Sequence, residues 1–157
     1  MNIICFHNPD EDNGYLSNWY LSSFLVKGET FSSVEQFMMY RKAICFGDET
    51  VANQILVAEN PAEIKYLGRQ VSNYKEHIWS GIRQMVVYEG ALAKFSQNLD
   101  LKEKLKATGD AILAECAVRD LIWGVGLSMN DPSRFDKTKW RGQNLLGYTL
   151  MMVREQM

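Results

Sequence analysis

Glu35 and Lys42 stand seven positions apart in the run Phe31-Ser32-Ser33-Val34-Glu35-Gln36-Phe37-Met38-Met39-Tyr40-Arg41-Lys42-Ala43. At about 3.6 residues per turn that is nearly two helical turns, so both side chains share a face with their backbones about 10 Å apart. Helical side chains lean toward the N-terminus, and the long lysine stem can reach back across the turn that holds Met38 and Met39. A carboxyl group and an amine so placed suit aminal chemistry. The carboxyl can donate and take protons, while a desolvated amine can attack the anomeric carbon of an opened ribosylamine and form a Schiff base. The same residues have a plain alternative: Glu35 closing a capping box, and Lys42 a solvated residue near the helix end.

Two further clusters carry chemical potential. In Thr108-Gly109-Asp110, Glu115, Asp120 and Trp123-Gly124-Val125-Gly126, Glu115 falls on an otherwise apolar strand. There an ionised carboxylate needs a partner or a raised pKa, unless it points outward or pairs with Arg119. Asp120 precedes a glycine-rich turn whose backbone N–H groups could cradle a phosphate or a ribose hydroxyl; most such turns are only turns. In Trp140-Arg141-Gly142-Gln143-Asn144, a loop entering a helix exposes unpaired backbone donors, an anion site with Arg141 beside it, or a plain helix cap. Trp19, Trp79 and Trp123 each offer a face on which a base could stack, or a core side chain.

The elements that must position these residues are legible from caps and periodicity. Residues 2–6 form a strand, 8–20 a loop, and 22–31 two short strands around Lys27-Gly28-Glu29. Ser32-Ser33-Val34-Glu35 opens a helix running to about Phe46, and Asp48 caps one over 49–59. Asn60-Pro61 starts a third that ends before Gly68. Residues 76–97 make the longest helix, Asp100 starts another that Gly109 ends, and 111–116 read as a strand. Residues 123–143 form a long ordered loop or a lid, and Asn144 caps a last helix to about Glu155. The chain reads as one α+β domain over residues 1–157, mainly helical with a small sheet.

Its 157 residues, 46% hydrophobic and 23% charged, suffice for a core without disorder. A net charge of -2 argues against a surface that grips long nucleic acid through its phosphates, although a single exposed nucleotide still fits. No apolar stretch is long enough to span a membrane, and the N-terminus lacks a signal-peptide layout. Cys5, Cys45 and Cys116 read as reduced core thiols of a cytoplasmic protein. With only two histidines and no close cysteine pair, neither a metal nor another cofactor is expected.

Taken in order, Leu16-Ser17-Asn18-Trp19-Tyr20, the Phe31–Phe37 segment, Arg41-Lys42-Ala43, Leu67-Gly68-Arg69, Trp79, Arg83, Lys94-Phe95, Thr108-Gly109-Asp110, Glu115, Asp120, Trp123-Gly124-x-Gly126 and Trp140-x-Gly142-x-Asn144-Leu145-x-Gly147 resemble the NADAR, or YbiA-like, family over nearly the whole chain. The resemblance implies a YbiA-like fold and an N-glycosidase, acting on phosphorylated ribosylamino-pyrimidine intermediates of riboflavin synthesis or removing ADP-ribose from guanine bases. Both substrates hold an exocyclic amine on the anomeric carbon of a ribose that carries a 5′ phosphate. Glu35 then matches the family's acidic position and Lys42 its helix lysine. Asn18, Trp79, Asp120, Trp123, Gly142 and Asn144 match positions around the ribose and phosphates, with Asp120 or Glu35 in a proton relay. Trp19, Gly124 and Glu115 join the substrate-binding set, and Arg41 and Arg83 could form a local basic patch with Arg69 and Arg141. The competing expectation is a binding module that holds ADP-ribose or an NAD-type ligand without cleaving it. Transient contact with nucleic acid fits the guanine substrate. A structural partner protein would call for an exposed apolar surface that this composition does not suggest.

Overall fold

The structure, a computed structural model, describes residues 2–157 as two compact units: one made of the N-terminal residues through Tyr20 together with Asn98–Met157, the other of Leu21–Gln97. It is α+β and mainly helical, as expected. The small sheet is in fact two separate two-stranded sheets.

In the unit Leu21–Gln97, β2 (Phe24–Val26) and β3 (Glu29–Phe31) form an antiparallel hairpin. Its two-residue turn, Lys27 at φ 50° and Gly28 at φ 84°, takes positive φ at both central positions, the geometry whose twist matches paired strands. Helix α1 (Val34–Cys45) follows, and α2 (Glu49–Val57), α3 (Pro61–Gly68) and α4 (Glu76–Gln97) surround it. Asp48 and Asn60 cap α2 and α3 through their side chains, as the sequence indicates. Gly68 does not lie past the end of α3. It is the last helical residue, and a Cβ there would sit 2.0 Å from Met39 Sδ, so it sets how closely α3 approaches α1. Gly90 does the same for α4 against Phe37. Phe24, Phe31 and Phe37 pack with centroids 5.1 to 6.2 Å apart, each worth about 1.5–3 kcal/mol on burial.

In the other unit, β1 (Ile3–Phe6) pairs in parallel with β4 (Ile112–Glu115), Cys5 opposite Ala114. Helix α5 (Leu99–Ala107) begins at Asn98, with Asp100 in its first turn rather than at its start. Helix α6 (Leu145–Glu155) packs on β4 so closely that a Cβ on Gly147 would lie 1.9 Å from the Leu113 carbonyl oxygen. The segment 123–143 is an ordered loop carrying two 3-10 turns, Pro132–Phe135 and Lys137–Lys139, and the Trp140 indole N–H donates to the Arg134 carbonyl at 2.8 Å. Cys5 and Cys116 are buried free thiols. Cys45 corrects the expectation of a core thiol: it ends α1 on its solvent side and is exposed. No helix among the described residues is long and apolar enough to cross a membrane.

Candidate active site

Helix α1 presents the two residues whose spacing suggested chemistry. Its N-cap is Ser33, whose hydroxyl accepts the Gln36 N–H at 3.1 Å, while the Gln36 side-chain oxygen accepts the Ser32 N–H at 2.7 Å. The pair does the work of a capping box one residue on from Ser32 and Glu35, with Gln36 reaching back to the N–H before the cap and not to that of Ser33 itself. Gln36 also donates to the Ile55 carbonyl at 3.0 Å and so ties down the end of α2. The capping function therefore falls to Gln36 and not to Glu35. Glu35 is only 5% exposed, a position a carboxylate rarely takes without electrostatic support.

Lys42 is half-buried at the other end of the same face. Burial holds its amine below the ordinary lysine value, the Glu35 and Glu76 carboxylates pull it back up, and the Arg69 guanidinium pushes it down. Its Nζ lies 4.6 Å from the centroid of the Tyr74 ring. Tyr74 is in the loop before α4, with Phe46 packed edge-on at 5.3 Å, and its hydroxyl donates to Glu76 Oε2. Glu76, in the first turn of α4, also accepts from Arg83 Nη1 at 3.3 Å. Burial, then the bond to Glu76 and its charge, push the Tyr74 phenol up to about 12, so it stays protonated and keeps donating. The same bond, followed by the Arg83 charge, holds the Glu76 carboxyl below its usual range.

The structure thus groups Glu35, Lys42 and Arg83 in one unit and adds Tyr74, Glu76 and Arg69 around the amine. Sequence reasoning misses Tyr74 and Glu76, because nothing in the spacing of 42, 74 and 76 signals contact. Arg41, on the next position of α1, is 2.6 Å from Glu89 and 5.4 Å from the Phe37 ring. Trp79 is 5% exposed and sits as a core residue of α4. Arg83 keeps a buried Nε without a partner among the described residues. A second lysine of this unit, Lys94, is fully buried, and burial takes its amine down to about 7. A cavity of about 440 Å³ in this unit, lined by Leu21, Ser22, Thr30, Gln36, Val57 and Glu59 among others, holds neither Glu35 nor Lys42.

Asn18, Trp19, Glu115, Asp120, Trp123, Gly124, Gly142 and Asn144 all belong to the other unit. Asn18 is buried and Trp19 half-buried. Burial raises the Glu115 carboxyl, and the His7 ring lowers it again through a 3.2 Å contact between His7 Nδ1 and Glu115 Oε1. Glu115 Oε2 is buried with no partner among the described residues. Asp120 folds back on its own turn and accepts the N–H groups of Ile122 and Trp123 at 3.1 and 2.9 Å.

The glycine-rich turn and the loop before α6 correct the expectation of open backbone donors. Val125 N–H donates to the Glu115 carbonyl, Gly126 to Ala117, Gly142 to Val125 and Asn144 to Gly124, at 2.8 to 3.1 Å. These segments zip to each other, and a Cβ on Gly142 would stand 2.1 Å from the Gly124 carbonyl oxygen. Asn144 precedes α6 in the left-handed region, φ 52° and ψ 38°, and makes no side-chain cap. Its amide instead donates to the Leu113 carbonyl at 2.8 Å and accepts the Glu115 N–H at 3.0 Å. It covers the edge of β4 turned away from β1. Among the described residues no group of three or more His, Cys, Asp or Glu side chains is placed to hold a metal.

The site thus sits on an α+β scaffold whose first long helix carries a buried carboxylate, Glu35, and a half-buried lysine, Lys42. The NADAR domain family matches residues 5–157, and the chain belongs to it. It is 37% identical to the N-glycosidase R617 of Acanthamoeba polyphaga mimivirus, over 98% of this chain and 95% of that protein. It is 30% identical to the N-glycosidase YbiA of Escherichia coli, over 99% and 88%. The riboflavin biosynthesis protein VVA0006 of Vibrio vulnificus is 35% identical over 98% of this chain, which spans only 38% of that longer protein. The NMR structure of E. coli YbiA superposes with a TM-score of 0.81 over 99% of this chain and 84% of that one, at 30% identity.

Proposed function

We propose that this chain is a hydrolase of N-glycosyl bonds, cleaving the bond between ribose C1 and an exocyclic amine, with Lys42 as nucleophile and Glu35 as its acid and base. The N-glycosidase names of relatives aligned over almost the full chain support the reaction class. The observation that carries the mechanism is the Lys42 amine, held below its ordinary proton affinity by burial and sharing a helix face with the buried Glu35. A lysine attacks only as the neutral amine, so partial desolvation is what a nucleophile needs.

The steps balance without a co-reactant other than water. Protonation of the ring oxygen opens the ribosylamine to an iminium at C1. The Lys42 lone pair adds to C1, its surplus proton passes by way of Glu35 to the departing nitrogen, and the base leaves as the free amine. C1 is then a protonated imine on Lys42. Water adds to it, gives up a proton to the carboxylate, and expels Lys42, leaving an aldehyde that closes to the free sugar. Asp120 is the further candidate for proton transfer. For substrate binding, Arg41 and Arg83 are proposed in the unit that carries Lys42, and Asn18, Trp19, Glu115 and Trp123 in the other.

For substrates, the proposal covers phosphorylated ribosylamino-pyrimidines, a choice the riboflavin biosynthesis name of one relative supports, and ADP-ribose on guanine, reached at a single exposed base given the net charge of -2. A cytoplasmic setting, where the three thiols stay reduced, belongs to the same proposal. The test is turnover of both substrates side by side by wild type, Lys42→Ala and Glu35→Gln. Each substitution should lower turnover by about 100-fold or more, as for loss of a positioned nucleophile or acid. Wild-type rates from Lys42→Ala would remove the mechanism. Tight ADP-ribose binding with no product from either substrate would make the chain a binding module instead.

A further inference from the structure

We infer that Tyr74, Glu76 and Arg83 form a clamp that positions the Lys42 amine: the Tyr74 ring is the platform for its ammonium, Glu76 locks that ring, and Arg83 locks Glu76. The inference rests on Lys42 being the nucleophile for its purpose, but the clamp itself is a statement about the amine and can be tested without substrate.

Four contacts carry it. Lys42 Nζ is 4.6 Å from the Tyr74 ring centroid, within the range at which an ammonium is drawn to an aromatic face. The ring is fixed at both ends, by Phe46 packed against it at 5.3 Å and by its hydroxyl donating to Glu76 Oε2. Arg83 Nη1 donates to the other Glu76 oxygen at 3.3 Å. Each link alone is an ordinary surface contact, since the Glu76 side chain is 64% exposed and Tyr74 is 39% exposed. Joined in series, they hold a flexible four-carbon side chain in one place beside Glu35. Long side chains lose considerable rotamer freedom when fixed, and a clamp that fixes one in advance spares the reaction that cost.

The charged and titratable groups facing the Lys42 amine come from every element around it: Glu35 from α1 itself, Arg69 from the end of α3, Tyr74 from the loop, and Glu76 from α4, backed by Arg83. The signs follow. The ring face and the Glu76 carboxylate both favour the ammonium, against burial and Arg69. Tyr74→Leu keeps an apolar side chain over the amine and removes the π-face, so the amine should lose its proton at lower pH. Glu76→Gln removes the negative charge while leaving Arg83 in place, and acts in the same direction. Tyr74→Phe keeps the face and the Phe46 packing and removes only the bond by which Glu76 locks the ring.

The test is reductive methylation with formaldehyde and cyanoborohydride across a pH series, with Lys42 quantified by mass spectrometry, because only the neutral amine reacts. Tyr74→Leu and Glu76→Gln should each move the Lys42 midpoint down by about half a pH unit. Tyr74→Phe, which keeps the π-face but breaks the lock to Glu76, should move the midpoint down by less than Tyr74→Leu does. The acid limb of kcat/KM should move with the midpoint in each variant. Unmoved midpoints in Tyr74→Leu and Glu76→Gln would overturn the clamp, as would a shift in Tyr74→Phe as large as in Tyr74→Leu. Midpoints that move as stated while the acid limb of turnover stays put would uphold the clamp and remove Lys42 as the nucleophile.

Discussion

Asn144 divides the scaffolding role of its loop from a ligand-binding one, and Asn144→Ala measures which dominates. The side chain is fully buried and satisfies two backbone groups on the open edge of β4, the Leu113 carbonyl and the Glu115 N–H. Truncation leaves both unpaired in the interior, at about 1–3 kcal/mol each. Alanine must also hold the left-handed conformation that asparagine tolerates, for roughly 1 kcal/mol more. The sum is about 3–7 kcal/mol, which for a chain of this length lowers the melting temperature by about 6–28 °C. Asn144→Gly loses the same two hydrogen bonds but not the backbone preference, so it should melt about 2–4 °C above Asn144→Ala. Differential scanning calorimetry of the three proteins gives the order wild type, then Gly, then Ala. An alanine variant that melts with wild type and shows only a raised KM would make Asn144 a ligand residue and not a scaffold one.

Further outcomes follow from the packing and the charges. Gly147→Ala would force a Cβ to within 1.9 Å of the Leu113 carbonyl oxygen and should be strongly destabilising. Gly81→Ala, in α4 with nothing within 4 Å of the added carbon, should be neutral or stabilising by about 0.5–1 kcal/mol, and urea titrations of the two compare them directly. The His7 ring is raised above its ordinary value, chiefly by its hydrogen bond to Glu115. A raised folded-state pKa contributes stability that is complete below the unfolded value, about 6.5, and is lost as pH rises through the folded one. The stability difference between wild type and His7→Gln should therefore be larger at pH 6 than at pH 8.5; a difference independent of pH would show that the pair does not titrate as a unit.

Elements with local signals are legible in the amino-acid sequence itself. Ser33, Asp48 and Asn60-Pro61 carry their caps within three residues, and Lys27-Gly28 carries a hairpin turn in two. The one-residue ambiguity at the start of α1 matters most, because it decides whether Glu35 caps a helix or enters the interior. Only the burial of Glu35, which depends on what packs on α1, resolves it. Asn144 looks like a cap because a helix begins after it. Its real partners lie about thirty residues back on β4, and no helical period reports a side chain that pairs with a strand edge. Tyr74 and Glu76 stay hidden for the same reason. Their link to Lys42 depends on α4 packing against α1, which Gly90 permits and a sequence pattern does not announce.

Borohydride traps the covalent imine proposed between ribose C1 and Lys42. Reduction during turnover of ADP-ribosylated guanine or of the ribosylaminouracil phosphate should leave a stable secondary amine. Peptide mass spectrometry should place it on Lys42, and Lys42→Ala should yield none. Lys94 is the internal control: its amine is also depressed, but at 1% exposure it has no path to substrate. No adduct from an actively turning-over protein, or an adduct on another lysine, would mean that Lys42 forms no imine with the sugar.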